Sequence, residues 1–576
     1  VSVRTLCLIL SAGLLFVPAA NAQSEARIKI VQPGVNRLEE DLKYLIELSP
    51  TPALKKQWKT VKDNLIDNFT PGIDVTQPIR IDVVFGKKSL DYEMHFPVTK
   101  LGGKGGFLLN IGDLGYKNKQ EVTGLYSLTE SAKGKPVKLL GYLRDANKYG
   151  SIAPTKEAVP ANLAHPINEA LKAYLAKGYD FAAELKNDPA DKKGLADRQA
   201  NFKELRTQLE AGIKFKRDED KNTFELRKLT VVQNLAEAER FLVETELLTM
   251  GWTTDVALKE GRGEFSFAAI PETSLHASAA LLGAKPSHFA HVKAPEKTAA
   301  TGRINFAIDA LRAEHLKNFY KAFRPVLAAR FDSSATLKDA DQKTAAKQAG
   351  NLLIDMLDAS IAIGALDGCF DLTDVGDGKH GFLGGIRAAD GKVADQILGL
   401  FPKLLPGHEV ALNVATVGET GLHTLKVPAG RLPQFQKFFP GETVVYLATS
   451  KDVVWLAIGP NAQADLTAAI TAVAGPAAET PDTTILSFSA NMAQLVEFFD
   501  ALAPEKAETK ESKTADQKEQ ERLRTVAEQA VAGCEPRLTT TVKRNGNVIE
   551  ATSVVSECAL KFVGTMIADQ VKKYLE

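Results

Sequence analysis

The chain has 576 residues, 44% hydrophobic and 25% charged, with 71 basic and 71 acidic side chains. That composition excludes disorder throughout the chain. The zero balance excludes a global field drawing it to nucleic acid or to an anionic membrane.

The N-terminus reads as an address. Arg4 precedes an apolar run from Leu6 to Val17, and Ala20-Asn21-Ala22 follows as a small-x-small cleavage signal. We expect residues 1–22 to be a signal peptide, and the mature protein to be exported to a periplasm or out of the cell. No later stretch is long and apolar enough to be a transmembrane segment.

Three internal echoes follow. Thr123-Gly124-Leu125 recurs as Thr420-Gly421-Leu422, Leu143-Arg144-Asp145 as Ser450-Lys451-Asp452, and Ile152-Ala153-Pro154 as Ile458-Gly459-Pro460. The offset drifts only from 297 residues (123 to 420) to 306 (154 to 460). Such near-constancy points to tandem duplication, with a first half at 23–295 and a second at 296–576. The join is expected near Val292–Gly302, a Lys, Ala, Pro and Thr stretch of linker type.

Within the halves one grammar repeats. Trp252, Thr254, Val256 and Leu258 alternate as a strand, Gly261-Arg262-Gly263 suggests the turn, and Phe265 and Phe267 return. Ile304–Ile308 predicts a strand, Asp309 a helix cap, and Pro325 the helix stop. A later copy runs from Ile485 through the cap Asn491 to Pro504. Leu538, Thr540 and Val542 then form a strand that turns at Asn545-Gly546, a strong hairpin signal. Asn187–Gly194 and the charged segment 504–521 are expected to be loose. The sum predicts an α+β protein, internally duplicated, with antiparallel sheets and helices packed on one face.

Chemistry is sparse. Gly86-Lys87-Lys88-Ser89 lacks the upstream glycine of a phosphate loop, and no nucleophile elbow or zinc-protease helix is present. His288 and His291 stand three apart without an acidic or Cys partner. Asp367, Asp371, Asp374 and Asp377, with Gly376 and Gly378, could wrap a Ca²⁺ ion, although Asp and Gly are also what hairpin turns use. His423 stands where the other half has Tyr126, which argues against a symmetric active site. Cys369 reads as a core residue. Cys534 and Cys558 flank the Asn545-Gly546 hairpin, but pairing puts Cys534 opposite Glu557. A disulfide needs a bulge or the strand ends to absorb one residue, so bridge and free thiols both stay open.

The Ile304–Pro325 module, Asp367-Gly368-Cys369-Phe370-Asp371 and the stretch from Pro440-Gly441-Glu442 to Pro460 resemble exported proteins of planctomycete-type bacteria built from duplicated α+β modules. The resemblance implies no activity and no catalytic residues. The expectation is therefore an exported non-catalytic scaffold or binding protein with a small-molecule, lipid or protein partner, an apolar or lipid-like ligand being one version. The alternatives are a hydrolase with a site in one half only and a calcium-stabilised surface protein.

Overall fold

The computed structural model describes residues 26–50, 52–67, 70–85, 90–113, 116–130, 138–146, 149–159, 169–295, 297–376, 379–428, 439, 443–475, 483–494, 522, 525–526 and 528–575. The expected leader at 1–22, the segment 504–521, Gly86–Ser89 and Asp377 lie outside them.

The protein is α+β, and its strands pair antiparallel throughout. The first ten are β1 (Ala26–Gln32), β2 (Ile79–Phe85), β3 (Leu90–Pro97), β4 (Tyr116–Val122), β5 (Leu125–Glu130), β6 (Lys138–Ala146), β7 (Tyr149–Ala153), β8 (Phe181–Lys186), β9 (Thr245–Asp255) and β10 (Glu260–Ala269). The next ten are β11 (Thr298–Ala307), β12 (Ala365–Gly376), β13 (Lys379–Arg387), β14 (Glu409–Val417), β15 (Thr420–Val427), β16 (Thr443–Thr449), β17 (Val453–Ile458), β18 (Thr484–Asn491), β19 (Arg537–Asn545) and β20 (Val548–Ser556).

All twenty join one sheet. From one edge to the other the order is β4, β5, β6, β7, β3, β2, β1, β8, β9, β10, then β20, β19, β18, β11, β12, β13, β17, β16, β15, β14. Every pairing among β1–β10 recurs among β11–β20 with ten added to each strand number. The crossed pairs β1–β8 and β3–β7 reappear as β11–β18 and β13–β17. The two runs meet where β10 pairs with β20, and Gly263 faces Ser553 near the middle of that ladder.

Only part of the predicted join is an exposed linker: Lys293, Ala294, Pro295 and Lys297 are exposed and outside any helix or strand. Thr298–Gly302 forms the start of β11, a strand with neighbours on both sides, and Ala299 and Ala300 are fully buried.

Several local signals act as the sequence suggests. The long helices Lys192–Ala211, Lys221–Glu244, Ala310–Ser333 and Ala340–Ser360 each start on an aspartate whose carboxylate accepts a backbone N–H of the first turn. Asp191 thereby starts a helix inside the segment expected to be loose. Pro325 does not stop its helix, which continues to Ser333; one missing N–H is tolerated within a long helix that packs on its neighbours. Gly261 and Gly263 lie within β10, and the turn falls at Val256–Lys259, where Lys259 takes φ 57°.

Helices occupy both faces of the sheet, not one. The Ala462–Val473 helix packs Leu466, Ala469 and Ile470 against Trp455 and Phe289. The Ser274–Leu281 helix packs Leu275 and Ala279 against Phe267 and Ile549. Cross-strand register puts Trp455 in line with Gly385, Cys369, Arg303, Ser487, Thr541, Thr552 and Glu264. Phe267 is an odd number of residues from Glu264 on β10, so it points to the opposite side.

Candidate functional site

Residues directly opposite on paired strands share a face, so register assembles rows of side chains that no single strand contains. One row runs Met94, Ile81, Ile30, Ala183, Met250, Phe265 and Ala551. It continues through Val542, Leu486, Ile304, Gly368, Ile386 and Val454. Thirteen strands thus contribute no polar side chain, over roughly 57 Å at the usual strand spacing.

The neighbouring row, on the other face, is the reverse. It runs Glu93, Asp82, Lys29, Glu184, Thr249, Ser266, Glu550, Lys543 and Thr484. All nine are polar or charged.

At several positions burial runs against this chemistry, although Glu550 and Lys543 of the polar row are exposed. Asp82 and Glu184, at 0% and 1% exposure, are sealed, whereas Met250 and Leu366 on the apolar face each keep 43% of their surface exposed. Tyr92, Phe181, Ile386 and Leu456, on the same face, are also exposed. Two long helices stand over this face: Phe241 stacks on Phe267 at 5.3 Å, and the Arg312 guanidinium lies 5.1 Å from the Phe306 ring. They roof it without sealing it. Among their described side chains the Lys221–Glu244 helix buries only Arg240 and Val243, and the Ala310–Ser333 helix only Val326. Monomeric proteins rarely leave an extended apolar surface open unless something apolar binds there.

The polar row ends in a compact network. Arg80 donates to both oxygens of Asp82 at 2.6 and 2.5 Å. His95 Nδ1 lies 2.9 Å from Ser151 Oγ, and its Nε2 is 3.8 Å from Glu93. Asp82, Glu93 and His95 each offer a donor atom within 4.8 Å of the others. The Ser–His–Glu sequence of groups is not a usable nucleophile, because Ser151 has no exposed surface for a substrate to approach.

A second buried histidine is locked. The Asn413 N–H donates to His423 Nδ1 at 3.1 Å, so the ring carries its proton on Nε2 and presents it to Thr449 Oγ1 at 2.9 Å. Thr449 in turn donates to Asp395 at 2.6 Å. Burial lowers the His423 pKa, with Asp395 opposing. The imidazole donates to Thr449, so it cannot act as that hydroxyl's base.

Two clefts accompany these features. One of about 390 Å³ is lined by Lys203, Arg206, Arg240, Glu239 and Glu244, but its guanidinium groups already pair with carboxylates. The other, about 260 Å³, lies beside the β9–β10–β20 junction, with Lys177 5.7 and 5.8 Å from the Tyr174 and Tyr179 ring centres.

The calcium candidates are not gathered into a loop. Asp367, Asp371 and Asp374 lie along β12, where strand alternation turns Asp374 to the face opposite the other two. Asp367 accepts from Ser287 Oγ and the His288 N–H, and Asp371 from Arg303 and Thr301. Asp374 accepts from Gln494 and the Gly376 N–H. Asp377 lies outside the described residues. His288 Nε2 approaches Asp452 at 3.6 Å rather than His291. Cys534 and Cys558 form a disulfide with Cα atoms 5.9 Å apart. Cys369 is buried, and its thiol is pushed up to about 12 by that burial, which keeps it protonated and inert.

No family model, curated protein or solved structure matches this chain. No helix among the described residues is long and apolar enough to cross a membrane. Sequence inspection missed both rows, since their members are separated by up to several hundred positions. Only the period-two alternation within each strand was available beforehand.

Proposed function

We propose that this is an exported, non-catalytic binding protein that holds an apolar, lipid-like ligand against the open face of its sheet. The observation that carries the reading is the inverted burial: Met250 and Leu366 are open while Asp82 and Glu184 are sealed. A protein partner would be expected to meet roughly one hydrogen-bonding group per 100–200 Å² of interface. The Met94–Val454 row offers none from its side chains, which suits hydrocarbon. We also propose that the two halves are tandem copies, supported by the strand pairings that recur with ten added and by the three sequence echoes. Export rests on the leader pattern at residues 1–22.

The test is partition of a fluorescent acyl lipid from vesicles onto the purified chain. Saturable transfer, competed by unlabelled lipid, is expected. Absence of transfer from either neutral or anionic vesicles would refute the reading.

A further inference from the structure

We propose that Asp82, Glu93 and His95 form a structural binding site for a divalent transition-metal ion, with Zn²⁺ as the probe. Their donor atoms come from two adjacent strands, share one face, and lie within 4.8 Å of one another. Donors around a bound Zn²⁺ sit about 3–3.5 Å apart, given ligand distances of about 2.1 Å. The His95–Glu93 separation of 3.8 Å needs only a small contraction. An imidazole with two carboxylates suits Zn²⁺, Fe²⁺ or Mn²⁺ better than Ca²⁺.

The surroundings match the outer layer of such a site. Ser151 engages Nδ1 and thereby aims Nε2 at Glu93. Arg80 holds both Asp82 oxygens and so fixes the orientation of that carboxylate. Asp82 and Glu93 are directly opposite in register, so an ion held by both would bridge the two strands.

An independent argument comes from the other half, and rests on the tandem-copy reading. The Ile152/Ile458 echo aligns β7 with β17, and with that alignment His95 facing Ser151 corresponds to Leu383 facing Ala457. Glu93 facing Asp82 corresponds to Gly381 facing Thr373. The architecture builds the same strand pairings with none of the three ligands, so folding alone does not require them. With Asp82, Ser151 and His95 almost wholly buried, the ion would staple β2 to β3 rather than meet a substrate.

The experiment is calorimetric titration of chelator-treated full-length protein with Zn²⁺, with Mn²⁺ and Ca²⁺ in parallel. The variant is H95L/S151A, which installs the apolar pair the second half already carries; Glu93→Gln serves as a second variant should the first unfold. The expected result is one Zn²⁺ per chain, binding more tightly than Ca²⁺ and weakened about tenfold or more in a folded variant. No saturable single-site binding, or equal binding in the folded variant, would overturn the site. Neither result depends on whether the apolar face takes lipid.

Discussion

Met250 on β9 stands directly opposite Phe265 on β10, in the middle of the apolar row, and 43% of its surface remains exposed. A lysine there should cost the fold little, within about 0.5 kcal/mol, because the position is a surface one. The same change places a charge in the path of any hydrocarbon. Met250→Lys is expected to melt as the wild type does while losing several-fold in lipid transfer. A parallel fall in melting temperature would mean that Met250 serves packing instead.

Arg303 and Asp371 make the best-defined buried ion pair of the second half, with Asp371 almost fully sealed. Removing one partner of such a pair strands the other, at a cost of about 3–5 kcal/mol. Asp371→Ala should lower stability by about that amount in urea. Since Asp367, Asp371 and Asp374 are already committed to protein donors, millimolar Ca²⁺ should not raise the melting temperature of the wild type through them. A clear rise that Asp371→Ala abolishes would contradict this.

Asp41 lies in the Val35–Glu47 helix beside Asp180, which accepts from Arg37 at 3.0 and 2.9 Å. Burial, followed by repulsion from Asp180, raises the Asp41 pKa from 3.8 to about 7. The folded state therefore holds this proton more tightly than the unfolded chain. Its stabilising contribution is full below pH 3.8 and is lost as pH rises through about 7. Asp41→Asn, which stays neutral, should be more stable than the wild type at about pH 8 and similar to it at about pH 4. Melting curves at the two pH values decide this; an unchanged difference between them would sink the assignment.

The Cys534–Cys558 bridge closes a separation of 24 residues. Chain entropy alone gives a bridge of that span about 3.5 kcal/mol. A double serine variant should lose about that much under non-reducing conditions and equal the reduced wild type. No difference between the oxidised wild type and the variant would show that the bridge contributes nothing.

Local features were legible wherever one residue's chemistry decides the outcome. Asp309 caps its helix, accepting from the Arg312 N–H, as its position before Leu311 and Leu316 suggested. The β19–β20 hairpin turns one residue later than expected, at Gly546-Asn547, with Asn545 paired to Val548 and Gly546 at φ 61°. Competition between signals defeated the inference elsewhere. Gly261 and Gly263 looked like a turn, yet in β10 they leave room for the Trp252 ring, which a Cβ on Gly261 would meet at 2.6 Å. The carboxylates at 367, 371 and 374 looked like a loop because spacing in sequence does not reveal which strand face each takes. The apolar row was hidden for a deeper reason. Phe265 and Ala551 are neighbours only through the β10–β20 ladder, a contact made by residues 286 positions apart (265 to 551).

The account's central claim is that hydrocarbon occupies the apolar face, and photo-crosslinking tests it most directly. A diazirine-bearing acyl lipid would be loaded on the full chain, irradiated, and the adducts mapped by peptide mass spectrometry. Labelling concentrated on β9, β10, β12, β13 and β17, around Met250, Phe265, Leu366, Ile386 and Leu456, is the predicted result. Adducts scattered over the surface, or confined to the opposite face around Tyr174 and Glu550, would contradict it.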